Sequence, residues 1–124
     1  MRSNKAEVIT VLDGHTMMIS LYGDIDHHSA KRIRGEIDSS LYINRPKRAV
    51  MNMASVEFMD SAGLGLIIGR LAVAEKIKCK LTILSPSPQV MKILDLAGAG
   101  RLVEIQRADD DVPAESKSKA KAEK

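Results

Sequence analysis

The chain has 124 residues, 44% of them hydrophobic and 28% charged, with a formal net charge of +3. That length suits one hydrophobic core and leaves no room for a second, catalytic domain. No apolar run approaches the roughly 20 residues that span a bilayer. Met1–Glu7 lacks the apolar core of a signal peptide, and the single cysteine, Cys79, can close no internal disulfide, so a cytoplasmic, reducing compartment is expected. Its apolar neighbours mark Cys79 as a buried structural thiol, and with three scattered histidines it builds no zinc site.

Residues 108–124 carry a net charge of −1, which leaves +4 on the rest. The basic residues gather at Lys31/Arg32/Arg34, Arg45/Lys47/Arg48 and Lys76/Lys78/Lys80. These read either as solvated helix ends and turns or as a face for an acidic partner. They form no periodic stripe, and an aromatic content of 2% is too low for base stacking, which argues against nucleic acid.

In chain order, Val8–Leu12 and Met17–Leu21 are β-rich runs separated by Asp13-Gly14, a dipeptide suited to a tight hairpin. After Gly23-Asp24-Ile25, Asp26 is a good N-cap for a helix whose apolar positions Ala30, Ile33, Ile37 and Leu41 recur at helical spacing; Arg45-Pro46 ends it. Ala49–Met53 has the character of a buried central strand. Leu64, Ile67, Ile68, Leu71 and Ala72 mark one face of a second helix, with Ser61 as its cap. Leu81–Leu84 reads as another buried strand. Ser87 caps and Pro88 opens a third helix lined by Val90, Met91, Leu94 and Ala97, which Gly98 and Gly100 stop. Leu102–Ile105 is a last strand. The order ββαβαβαβ predicts an α/β domain over 1–107, a mixed sheet opened by an antiparallel hairpin and continued through right-handed parallel crossovers. From Ala108 to Lys124 almost no large apolar side chain occurs, so a disordered charged tail is expected.

The residues with chemical interest cluster at Phe58-Met59-Asp60-Ser61-Ala62-Gly63-Leu64-Gly65. A serine at a helix N-terminus is where an added phosphate gains amide contacts and a favourable dipole without disturbing the fold. Two other readings compete: an ordinary cap, and a glycine-rich loop that cradles the anion of a small molecule or nucleotide. A hydrolase nucleophile is disfavoured, because the surroundings are not G-x-S-x-G and no histidine follows Ser61. Nor is there a Walker loop. Gly63 and Gly65 allow close backbone approach to a partner, with helix-to-sheet packing the other reading, weightier for Gly65 than for Gly63. Asp26 caps its helix; adjacent His27 and His28 are badly placed to share one metal, and Asp24 and Asp26 complete no site with them. Asp60 orients the Ser61 hydroxyl or holds the loop.

Gly23-Asp24-Ile25-Asp26-His27-His28-Ser29-Ala30, Phe58 to Gly65, and Ser87-Pro88-Gln89-Val90 leading to Leu94-Asp95-Leu96-Ala97-Gly98 together resemble the STAS-domain anti-sigma factor antagonists, above all those of the sporulation type. The resemblance covers roughly residues 7 to 106, with the three motifs in the family's order. It implies a monomeric STAS domain, not an enzyme and without cofactor or metal. In its unphosphorylated form such a domain binds an anti-sigma factor that is also an ATP-dependent serine kinase, freeing the sigma factor. Phosphorylation turns it off, and a PP2C-type phosphatase restores it. The acceptor serine of the family follows the motif's Asp, which places it on Ser61; the next position, often a second hydroxyl, is Ala62 here. The implied partner face comprises Asp24, Asp26, His27, His28, Asp60, Ser61, Gly63, Leu64 and Gly65. A STAS module of a stress-response or sensory scaffold is the alternative within the same fold. The family commonly closes with a final helix, for which Asp109–Pro113 and the Lys/Ala/Ser-rich end offer little apolar face.

Overall fold

A computed structural model describes residues 5–107. The expected charged tail, 108–124, lies outside the described residues. The elements run β1 (Glu7–Asp13), β2 (Thr16–Tyr22), α1 (His27–Asn44), β3 (Arg48–Ser55), α2 (Ser61–Lys76), β4 (Lys80–Leu84), α3 (Pro88–Leu96), a single 3-10 turn (Ala99–Arg101) and β5 (Glu104–Gln106). The expected ββαβαβαβ order is therefore the observed one. The sheet has five strands in the order β1-β2-β3-β4-β5. β1 and β2 are antiparallel and every later pair is parallel.

The hairpin turns one residue later than its sequence suggests. Asp13 pairs with Thr16, so the loop is Gly14-His15, and only Gly14 takes a positive φ, +65°. Such a pattern, with glycine first, also satisfies a two-residue connection.

α1 forms as its periodicity demands: Ala30, Ile33, Ile37 and Leu41 are its buried residues. Asp26 accepts from Ser29 N at 3.0 Å while Asp26 N donates to Ser29 Oγ at 3.0 Å, a reciprocal capping box. The helix stops at Arg45 in the left-handed region, before Pro46. In α3, Ser87 Oγ accepts from Val90 N at 3.2 Å and Gly98 supplies the left-handed stop. β5 begins two residues later than expected, because the 3-10 turn takes up Ala99–Arg101 and Leu102 caps it.

Burial alternates along β2, β3 and β4, with Met17, Ile19, Leu21, Ala49, Met51, Met53, Leu81 and Ile83 in the core. Their neighbours Met18, Val50, Thr82 and Leu84 are only half-buried. Helices thus cover one face of the sheet, whereas Ala49–Met53 and Leu81–Leu84 read as strands buried on both. Short apolar runs look alike in either setting. On the open face of β1, Ile9 and Val11 are 54% and 55% exposed.

α2 is turned from the face its sequence suggests. Gly63, Leu66, Ile67, Arg70 and Ala74 point inward, whereas Leu64 and Leu71 are half-buried and Ile68 and Ala72 exposed. Arg70 decides the rotation. Its side chain, 6% exposed, puts Nε 2.7 Å from Asp38 Oδ1 of α1 and Nη1 3.3 Å from Leu66 O. Nε and Oδ1 pair as charges although their angle is poor for a hydrogen bond, and neither has another hydrogen-bond partner among the described residues. Burial pushes the guanidinium pKa below its ordinary value and Asp38 pushes it back. Cys79 is buried, and burial raises its thiol pKa, as suits an inert structural cysteine.

The α1–α2 contact should depend on that pair. Asp38→Ala leaves a buried cation uncompensated and should cost about 3 kcal/mol, whereas Arg70→Met should cost much less. Urea unfolding of the two variants distinguishes them.

Candidate functional site around Ser61

Two loops meet at the ends of β2 and β3. Ser20 pairs with Asn52 but Tyr22 with Ser55, so β3 carries one extra residue just before its end. Such a bulge bends the strand and re-aims the segment beyond it. Gly23 then takes φ +86° while its N donates to Ser55 O at 3.1 Å. A Cβ there would lie 2.5 Å from Lys5 O, so only glycine fits. Beyond it Ile25 and Met59 form an isolated parallel bridge, with Ile25 N donating to Phe58 O at 3.0 Å and Asp60 N to Ile25 O at 3.3 Å. This bridge lays the Asp24–Ser29 segment beside the Phe58–Gly65 segment.

A second clamp comes from α3. Gln89 Oε1 accepts from Met59 N at 3.3 Å, and Gln89 Nε2 donates to Met59 O at 3.2 Å. In the sequence Gln89 is marked only by its place in the Ser87-Pro88-Gln89-Val90 motif. Met59 itself is fully buried, and its side chain lies against Gly63, where a Cβ would come within 2.7 Å of Met59 Cβ. At Gly65 the same added Cβ would meet nothing within 4 Å. Gly63 is therefore the packing glycine and Gly65 the open one, the reverse of the weighting that the sequence suggested.

Asp60, not Ser61, caps α2: Asp60 Oδ1 accepts from Ala62 N at 2.8 Å. A carboxylate one residue earlier has taken the cap, which makes Ser61 the first helical residue and leaves it exposed. Among the described residues no hydrogen bond engages the Ser61 hydroxyl. Phe58, 48% exposed, stands on the same segment.

The two histidines part company. His27 lines a groove between α1 and α2 with Ala30, Lys31, Arg34, Ala62, Gly65 and Leu66. His28 lines a separate cleft of about 430 Å³ with Lys5, Asp24, Asp26, Arg32 and Phe58 among its other walls. No group of three metal-ligating side chains converges among the described residues. The hydrogen bond from Ser29 N, then that from the Ser29 hydroxyl, hold the Asp26 carboxyl below its ordinary value of 3.8. Its capping contribution is accordingly complete above that value and lost as pH falls through the depressed one.

The STAS domain family model matches residues 7–112. The chain belongs to the STAS domain family. Similar relatives of this STAS domain include proteins named anti-sigma F factor antagonist. The one from Lysinibacillus sphaericus is 33% identical over 85 residues, 68% of this chain and 73% of the relative. The one from Paenibacillus polymyxa is 28% identical over 98 residues, 79% of this chain and 82% of the relative. Among solved structures, the anti-sigma factor antagonist SpoIIAA in its unphosphorylated form is similar with a TM-score of 0.74 at 26% identity, over 95% of this chain and 99% of that one. The Bacillus cell fate determinant SpoIIAA in its phosphorylated form gives 0.68 at 27% identity, over 85% and 94%. The STAS domain here has no helix, among the described residues, long and apolar enough to cross a membrane.

The two glycines should separate in a stability assay. Gly63→Ala should destabilise by about 1–3 kcal/mol by overpacking against Met59, and Gly65→Ala should stabilise by up to about 1 kcal/mol through helix propensity. Gln89→Ala should speed amide hydrogen exchange at Met59 about tenfold, the size of one lost hydrogen bond, with exchange in β3 unchanged.

Proposed function

We propose that this STAS domain is an anti-sigma factor antagonist switched at Ser61. Unphosphorylated, it binds an anti-sigma factor that is also a serine kinase and frees the sigma factor. The kinase then transfers the γ-phosphoryl group of ATP to Ser61 Oγ: a P–O bond forms, the β–γ bridge of ATP breaks to give ADP, and the hydroxyl proton passes to a base on the kinase. A PP2C-type phosphatase hydrolyses the ester and restores the first state. The protein is the substrate of this chemistry and not its catalyst.

The observation that carries the reading is the exposed Ser61 hydroxyl on the first residue of α2, held out by a loop fixed on both sides. The similarity to proteins named as anti-sigma factor antagonists, one of them known in both unphosphorylated and phosphorylated forms, supports it. On this reading the partner face comprises Asp24, Asp26, His27, His28, Asp60, Ser61, Leu64 and Gly65 with Phe58 added. Gly63, which is buried, shapes that face from beneath instead of touching the partner.

Physics favours a switch that spares the fold. A phosphate adds about −1.5 to −2 charges and three acceptor oxygens, at a position where the helix dipole welcomes negative charge. The cap already belongs to Asp60, so the modification displaces no structural bond of Ser61.

Incubation with the kinase and ATP should add one phosphate to the native chain and none to Ser61→Ala, by intact mass, while Ser61→Ala keeps its affinity for the kinase. Ser61→Asp should bind at least tenfold more weakly by calorimetry with a nearly unchanged melting temperature. Equal affinity of Ser61→Asp and the native chain would sink the switch.

A further inference from the structure

The groove beside Ser61 is unbalanced in charge. Lys31 and Arg34 of α1, with His27, line about 260 Å³ of space whose other wall is Ala62, Gly65 and Leu66 of α2. No carboxylate lines it. The acidic residues of α1 are engaged elsewhere, Glu36 with Arg32 at 3.5 Å and Asp38 with Arg70, while among the described residues neither Lys31 nor Arg34 belongs to an ion pair. Arg34 also lies close enough to the buried Arg70 for their like charges to interact. A concave surface lined by unpaired cations calls for an anion.

Ser61 precedes the groove-lining Ala62 by one residue and Gly65 by about one helical turn. No side chain stands at Gly65, and a Cβ added there would meet nothing within 4 Å. Both helices start from the bridged pair Ile25 and Met59, so their N-termini lie side by side. Long side chains on a helix lean toward its N-terminus, which carries the ammonium of Lys31 and the guanidinium of Arg34 toward the Ser61 end.

We propose that a phosphate on Ser61 folds into this groove and is held by Lys31 and Arg34 with His27 beside them. The inference rests on the assignment of Ser61 as the modified residue. It changes how the switch works: phosphorylation cancels a positive groove and does not leave a free dianion on the surface. With Ser61 unmodified, the same cations meet carboxylates of the anti-sigma partner. Phosphate and partner then compete for one anion receptor.

The test uses the full chain with phosphoserine installed at position 61 during translation, so that its outcome is independent of any kinase. Phosphorus NMR follows the second ionisation of the phosphate against pH. The groups around it are His27, Lys31 and Arg34 from α1, Asp24 and Asp26 from the segment that the Ile25–Met59 bridge lays beside it, and Asp60 from the start of α2; the cations lower its pKa and the carboxylates raise it. The native chain should titrate about 0.5 to 1 unit lower than the Lys31→Gln/Arg34→Gln variant, for a free phosphoserine value of about 6. A Lys76→Gln/Lys78→Gln variant, with the same change in net charge, should titrate like the native chain. Identical curves for the native and Lys31→Gln/Arg34→Gln proteins, or an equal rise in the control, overturn the proposal. With the unmodified proteins, Lys31→Gln/Arg34→Gln should bind the kinase about tenfold more weakly, and unchanged affinity overturns the shared use of the groove. A chain in which the kinase modifies another residue refutes the assignment of Ser61, and the titration still decides whether the groove holds a phosphate.

Discussion

Everything at the candidate site depends on how Met59 packs against Gly63. Met59 is fully buried one residue ahead of the Asp60 cap, and its Cβ, Cγ and Sδ occupy the space that a side chain at position 63 would fill. A buried side chain of this size is worth roughly 1.5–3 kcal/mol, more than the bonds of the loop that it anchors could each supply. With Met59 held, Gln89 can grip its backbone from one side while Ile25 grips Phe58 and Asp60 on either side of it. α2 then starts with Ser61 facing water.

The division of labour between neighbours comes from this anchoring. Asp60 satisfies the open end of the helix, Gly63 admits the methionine, and Ser61, spared both tasks, is free to be modified. A residue that carries no share of stability can change its chemistry without unfolding the domain. The same logic separates His27 from His28: adjacent positions on a helix diverge by about 100°, so one ring lines the α1–α2 groove and the other the cleft near the N-terminal segment. Two residues that look like a pair in the sequence serve two surfaces.

Much of the fold could be read directly. The alternating strands, the apolar spacing of α1, the Asp26 cap and the Ser87-Pro88 start of α3 are local signals, decided by interactions within a few residues of chain. The misreadings share one cause. α2 is apolar nearly all round, so its sequence ranks several faces equally; the ion pair from Arg70 to Asp38, distant in sequence, breaks the tie. Strands β3 and β4 carry apolar runs suited to burial on both faces, yet only one face of the sheet is covered. Gln89 was invisible for a similar reason, since its two hydrogen bonds reach 30 residues back along the chain.

The sequence by itself determined the order of elements, the family, and the neighbourhood of the hydroxyl proposed as the switch, because periodicity, caps and motif spacing are properties of short stretches. Tertiary structure alone decided which glycine is locked, which residue caps α2, and that three basic side chains of α1 share a groove with the helix bearing Ser61. Those outcomes depend on packing and charge between segments far apart in the chain, where the nearest neighbour in space is not written beside the residue it touches.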